Sequence, residues 1–107
     1  MTWTVDGPFI STRLADVEAR VEVINAQPLW DSFVDVHIYT DDGRHLTGEF
    51  IPVRELVAWF AAHHEPYWTS NLVVIAEPSL DAVAEAVRHL LVSGEATAAL
   101  LDTLSAD

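Results

Sequence analysis

The sequence predicts an α+β domain, in which a mixed, mainly antiparallel four-stranded sheet carries helices packed on one face. Segments with an apolar residue at every second position precede segments whose apolar residues recur every three or four positions. An Asp-Asp-Gly turn joins two of the strand-like segments. The chain has 107 residues, half of them apolar, which suffices for one core. We therefore expect residues 1–107 to form a single domain.

The first half of the chain predicts three strands. Apolar and charged side chains alternate over residues 17–23, which is the period of a half-buried strand. Residues 33–40 and 44–51 alternate in the same way and form a hairpin around the Asp-Asp-Gly turn. A further edge strand is expected near residues 3–5. The order of elements over the whole chain is predicted as β-β-β-α-β-α-α.

The hairpin turn allows two registers, which the side-chain pattern distinguishes. A two-residue turn would place Ile38 opposite Thr47 and mix core with solvent-facing positions. A three-residue loop, with Gly43 in a left-handed conformation, avoids this conflict. We predict this second register, which pairs apolar positions with one another: Ile38 with Leu46, Val36 with Gly48 and Val34 with Phe50.

The second half predicts helices at 53–64, 79–93 and 95–104 around one strand at 71–77. Pro52 suits a helix start, Ser79 can cap a helix, and Gly94 can end one. The nearly continuous apolar run at 71–77 indicates a central strand covered on both faces. The expected buried residues are Val36, Ile38, Leu46, Phe50, Leu56, Phe60, Leu72, Val74, Val83, Val87 and Leu90.

Composition excludes several classes of function. Seventeen acidic residues and five basic ones give a formal charge of −12, which disfavours binding to nucleic acid or to anionic membranes. No cysteine is present, so disulfides and thiolate chemistry are excluded. The N-terminal segment has no signal-peptide pattern, and the expected location is cytoplasmic. The acidity serves either to attract a basic partner or only to keep the chain soluble.

The polar face of the hairpin holds the first candidate binding site. The predicted register places Asp35 opposite Glu49, and two carboxylates in this position repel unless a cation lies between them. Either Arg20 on the neighbouring strand supplies that cation, or a Lys or Arg of a partner does. The predicted partner-binding residues on this hairpin are Asp35, Tyr39, Asp41, Asp42 and Glu49.

Metal binding and catalysis are not expected at this face. Asp35, His37, His45 and Glu49 can each ligate a metal, but no zinc-like spacing supports a site, and His37 and Glu49 are diagonal rather than directly paired. The chain has no phosphate-binding loop, dinucleotide fingerprint, nucleophile elbow or HExxH motif. We predict no catalytic residues, no metal and no cofactor, and therefore a protein that is not an enzyme.

Loop aromatics form a second candidate binding site. Trp30 and the Tyr67-Trp68 pair lie in loop-like stretches, where an aromatic side chain either packs under the loop or serves as a binding anchor. Tyr67 and Trp68 are the stronger candidates for partner contact. Trp59 lies beside the apolar stripe of its helix and is expected in the core.

Two segments carry a family resemblance: Pro-Val-Arg-Glu-Leu-Val-Ala-Trp from Pro52, and Asn-Leu-Val-Val-Ile-Ala-Glu-Pro-Ser-Leu-Asp from Asn71. Together with the order of elements over residues 33–104, they resemble small immunity proteins of bacterial polymorphic toxin systems. The nearest family is the one called immunity protein 8. The resemblance implies a stoichiometric inhibitor that binds and occludes a cognate toxin domain, often a basic nuclease.

Two other functional classes stay open at this point. One is a stand-alone interaction or regulatory module, monomeric or homodimeric through an exposed sheet edge or face. The other is a small-molecule binding protein or enzyme with a pocket under Trp68 and the helices. A neighbouring toxin gene, the mass in solution and a thermal-shift screen distinguish the three classes.

Overall fold

A computed structural model describes residues 2–24, 33–66 and 71–102. These residues form seven strands, three α-helices and one short 3-10 turn. The elements in chain order are β1 (Thr4–Asp6), β2 (Phe9–Leu14), the 3-10 turn (Ala15–Val17), β3 (Ala19–Ile24), β4 (Val34–Thr40), β5 (His45–Pro52), α1 (Val53–His63), β6 (Leu72–Ile75), α2 (Leu80–Ser93), α3 (Ala96–Ala99) and β7 (Leu101–Asp102). The α+β class is confirmed, but the predicted number of four strands is wrong.

The strands form one sheet in the order β1-β2-β3-β4-β5-β6, and β7 pairs with β5. Neighbours from β1 to β5 are antiparallel, whereas β6 runs parallel to β5 after the α1 connection. β1 confirms the expected edge strand near residues 3–5. β2 and β7 were not predicted, because Phe9–Leu14 mixes polar and apolar residues and Leu101–Asp102 is only two residues long.

The register of the β4–β5 hairpin is confirmed at every predicted pair. Ile38 lies opposite Leu46, and Asp35 lies opposite Glu49. Gly43 has a φ of 93°, the left-handed conformation that the three-residue loop requires. A single-residue slip would exchange the core and polar faces, so this register fixes which side chains form the site.

The core lies between one face of the sheet and the helices α2 and α3. Ser79 begins α2, since its Oγ accepts a hydrogen bond from the Ala82 amide at 3.0 Å, and Gly94 ends the helix with a φ of 78°. The buried residues of this cluster are Ile10, Leu14, Ala19, Val21, Val23, Val34, Val36, Ile38, Leu46, Phe50, Ile75, Val83, Ala84, Val87, Ala96 and Leu100. Of the predicted core residues, Leu72 and Leu90 are only partly buried.

α1 does not pack in this core, contrary to the prediction. It has no buried residue; Leu56 is partly buried and Phe60 is 40% exposed. A right-handed connection between the parallel strands β5 and β6 places α1 over the opposite face of the sheet, which carries Glu49 and Ile51. Ile51 is buried but lies outside the core cluster, as this placement requires. The core cluster contains residues of α2 and α3 but none of α1. The described helices are all too short or too polar to cross a membrane.

Two predictions for the C-terminal third are wrong. β6 ends the path of the sheet among the described residues instead of lying at its centre. Val74 is 47% exposed and not buried as predicted. The last helix ends at Ala99, since Leu100 is extended with φ −121° and ψ 154° and leads into β7. The remainder of the predicted helix, from residue 103, lies outside the described residues.

Candidate binding site on the polar face of the hairpin

A recess of about 310 Å³ opens on the polar face of β4 and β5. Alternation along the two strands directs Asp35, His37, Thr47 and Glu49 to this face, while the intervening Val36 and Gly48 are buried. Asn71, just before β6, closes one side, and its Nδ2 donates a hydrogen bond to the Thr47 carbonyl at 3.2 Å. The recess is thus lined by β4, by β5 and by the residue that precedes β6.

Glu49 has an unsatisfied oxygen in this recess. Its Oε2 atom is inaccessible to solvent and has no hydrogen-bond partner among the described residues. Asp35 lies directly opposite on β4. A carboxylate oxygen that is removed from water without a donor costs free energy, on the order of 1–3 kcal/mol or more. Among the described residues, no Lys or Arg side chain is paired with either of the two acids.

Arg20 does not supply this cation. It lies opposite Tyr39 in the β3–β4 register, whereas the β3 residue opposite Asp35 is Ile24. The Arg20 guanidinium lies 4.3 Å from the centre of the Tyr39 ring, and its Nη1 lies 3.4 Å from an oxygen of Glu22. The sequence left open whether Arg20 bridges Asp35 and Glu49, and the geometry excludes it.

The other four arginines are also engaged with carboxylates elsewhere. Each of the five lies within 3.5 Å of a carboxylate oxygen, and the chain has no lysine. The pairs are Arg13 with Asp41, Arg20 with Glu22, Arg44 with Asp42, Arg54 with Glu55, and Arg88 with Asp16 and Glu85. None of the five arginines is paired with Asp35 or Glu49.

Tyr39 belongs to an internal stack beside the recess. Its ring lies 4.4 Å from that of His45, centre to centre, and His45 Nε2 lies 2.8 Å from His37 Nδ1. In this His–His hydrogen bond one ring donates and the other accepts, so at least one imidazole is neutral. Burial, and secondly the neighbouring His45, lowers the pKa of His37. Burial, and secondly Glu22, raises the pKa of the Tyr39 hydroxyl.

The acids at the hairpin tip are separate from the recess. Asp41 follows Asp35 by six positions along the chain, which corresponds to about 20 Å at roughly 3.3 Å per residue. Asp41 accepts two hydrogen bonds from Arg13, at 2.9 and 2.6 Å, and these contacts lower its pKa. The Thr40 hydroxyl and then Arg44 lower the pKa of Asp42. Each tip carboxylate thus already has an arginine partner within the chain.

The structure brings together only part of the predicted site. Asp35 and Glu49 share the recess, while Tyr39, Asp41 and Asp42 have internal partners. Trp30, Tyr67 and Trp68 lie outside the described residues. Sequence reasoning missed Asn71 as a site residue, because only the parallel pairing of β5 with β6 brings it beside Thr47 and Glu49.

The recess is not arranged as a metal centre. Within residues 2–24, 33–66 and 71–102, no group of three or more His, Asp or Glu side chains is positioned to hold a metal ion. Comparison of the chain with protein-family models, with curated proteins and with solved structures gave no match. The function has to be argued from the geometry of the recess and from the charge of the chain.

Proposed function

We propose that this protein is a non-catalytic inhibitor that binds a basic protein partner through the polar face of its hairpin. In the specific form that the sequence resemblance suggests, the partner is a cognate bacterial toxin and the protein is its immunity protein. A Lys or Arg side chain of the partner enters the recess between Asp35 and Glu49. The single observation that carries this proposal is the enclosed, unpartnered Oε2 atom of Glu49 opposite a second carboxylate.

The ion pairs of the chain support a role of Asp35 and Glu49 in binding a partner rather than a structural role. All five arginines are used elsewhere, so a partner's cation beside the two acids would relieve their mutual repulsion and offset the enclosed charge of Glu49. Hydrogen bonds between ionised groups are stronger than neutral ones, and an Arg guanidinium can contact two carboxylates at once.

The overall charge has a different role in the same proposal. A net charge of −12 attracts a basic surface over several ångströms and increases the association rate, while the recess determines how long the complex lasts. The acidic surface would also exclude nucleic acid from the groove of a nuclease toxin.

The test is binding to the protein encoded by the adjacent open reading frame, expressed in a catalytically inactive form. Surface-based kinetics at several salt concentrations would give the association and dissociation rates separately. We expect a 1:1 complex whose association slows as salt rises. Glu49→Gln should raise Kd by about tenfold or more, mainly through faster dissociation, because it removes a charge that the partner's cation contacts.

Asp6→Asn is the matched control, since it removes the same charge from an exposed position on β1. It should alter the association rate slightly and leave dissociation unchanged. A complex that is insensitive to salt, or that tolerates Glu49→Gln and Asp35→Asn as well as Asp6→Asn, would contradict the proposal. Absence of any complex with the adjacent product would contradict its immunity-protein form.

A further inference from the structure

The outer edge of β6 has no partner strand among the described residues. The Glu49 amide donates to the Asn71 carbonyl at 3.0 Å, and Glu49 pairs with Leu72 in the parallel register. Because backbone groups alternate sides along a strand, those of Val73 and Ile75 point towards β5. Those of Leu72 and Val74 point outwards, where no described strand pairs with them. This edge can accept another strand.

A groove of about 420 Å³ runs beside this edge, between β6 and the first turns of α2. Its apolar lining consists of Val74, Ile75, Ala76, Ala82 and Ala86. Three of these five residues are alanines, whose small side chains leave the space open. Val74 is 47% exposed, although Ile75 beside it is buried. The groove therefore offers apolar surface directly beside unpaired backbone groups.

Acidic side chains line the same groove. Glu77 and Asp81 contact no arginine among the described residues, whereas Glu85 is paired with Arg88. Asp81 accepts a long hydrogen bond, 3.4 Å, from the Trp3 indole. Since every arginine of the chain is already in contact with another carboxylate, the charges of Glu77 and Asp81 are left for a partner.

We infer that the outer edge of β6 and its groove bind an extended basic segment of a partner protein, which adds to the sheet as a further strand. Backbone hydrogen bonds to Leu72 and Val74 would hold the segment, as in other cases of strand addition. Alternate side chains of the added strand face the groove, so one is apolar and another, two residues away, is Lys or Arg. This inference does not depend on the recess at Asp35 and Glu49.

The net charge of the chain favours a basic segment over a second copy of the chain as the occupant of the β6 edge. Two copies would each bring a net charge of −12 and the same acidic groove to the interface. Like charges across an interface oppose association, whereas a basic segment neutralises Glu77 and Asp81. A four-residue edge strand also offers few backbone hydrogen bonds, so the acids have to add to the affinity.

The test is an amide NMR titration with two synthetic peptides, acetyl-Thr-Val-Thr-Lys-Thr-Lys-amide and its counterpart with Glu in place of Lys. The basic peptide should give saturable shifts at the amides of Leu72, Val74, Glu77 and Asp81. The acidic peptide should bind at least tenfold more weakly. Asp35→Asn should leave the titration unchanged, which separates this surface from the recess.

Val74→Pro is the decisive variant, because it removes an outward N–H while the hydrogen bonds of Val73 and Ile75 to β5 remain. We expect the affinity for the basic peptide to fall at least fivefold, and Val74→Thr, which keeps the N–H, to retain it. If Val74→Pro does not keep the native spectrum, the affinity of the basic peptide is measured for the double variant Glu77→Gln/Asp81→Asn instead. This affinity should also fall at least fivefold.

Three results would overturn the inference. The first is no saturable binding of the basic peptide, and the second is equal binding by wild type and Val74→Pro. The third is a set of shifts at the same amides that depends on protein concentration without peptide, because a second copy would then occupy the edge.

Discussion

Glu49 faces Asp35 across the β4–β5 hairpin, and one of its carboxylate oxygens is enclosed without a hydrogen-bond donor among the residues that the structure describes. This relationship gives the first prediction, which concerns the isolated protein. Asp35→Asn should raise the free energy of unfolding by about 0.5 kcal/mol at low salt, since it removes a like-charge pair directly across two strands. Urea unfolding at low and high salt checks this. A loss of stability would mean that a cation within the chain already bridges the two acids.

Arg20 gives the complementary prediction. Its guanidinium contacts the Tyr39 ring and Glu22 instead of the recess. Arg20→Gln should lower the free energy of unfolding by about 0.5–1 kcal/mol, the usual range for an exposed cation–π contact and a surface ion pair. The loss should be the same in the wild-type and Asp35→Asn backgrounds. Strong coupling between the two substitutions in a double-mutant cycle would contradict the separation of Arg20 from Asp35.

The register of the hairpin could be predicted from the sequence, but the arrangement of the neighbouring strands could not. Strict alternation and Gly43 determine the pairing of Asp35 with Glu49, because only one register keeps the apolar positions together. Whether Arg20 reaches Asp35 and Glu49 depends on the β3–β4 register. The length of the loop between these strands does not predict that register. The long apolar run of β6 indicated a central strand, yet short apolar strands also occur at edges, where burial depends on neighbours that are distant in sequence.

The internal partners of the tip acids could not be predicted for a similar reason. Asp41 lies at a turn and was expected to await a partner, but Arg13 on β2 binds it with two hydrogen bonds. β2 itself was not predicted, so its arginine could not be placed. The recess contributor Asn71 was missed because β5 and β6 meet only through the parallel crossover.

Gly48 gives a prediction about packing beneath the recess. A Cβ at this position would lie 2.5 Å from Leu100 Cδ2 and 3.3 Å from the Asn71 carbonyl oxygen. Gly48→Ala should therefore cost about 1–3 kcal/mol of stability, as expected for overpacking of a filled core. In the double variant with Leu100→Ala, the cost should be smaller than the sum of the single ones. Additive costs, measured by urea unfolding, would show that Leu100 is not the group displaced.

His37 gives a prediction about pH. Its pKa is lowered in the folded protein, first by burial and then by His45, despite the opposing influence of Glu22 and Asp35. As pH falls below about 6.5, the unfolded chain binds a proton before folded His37 does, so this group reduces stability until pH passes its lowered pKa. His37→Gln should show a smaller loss of stability between pH 7 and pH 5 than wild type. Parallel pH profiles of urea unfolding for the two proteins would contradict this assignment.

The central claim is that the recess between Asp35 and Glu49 binds a cationic side chain. Its most direct test is an amide NMR titration with acetyl-arginine methylamide, with acetyl-citrulline methylamide as the neutral control of nearly the same shape. We predict saturable shifts centred on Asp35, Glu49 and Asn71 with the arginine compound only, and their loss in Glu49→Gln but not in Asp6→Asn. Shifts spread evenly over the acidic surface, or equal responses to the two compounds, would contradict the claim.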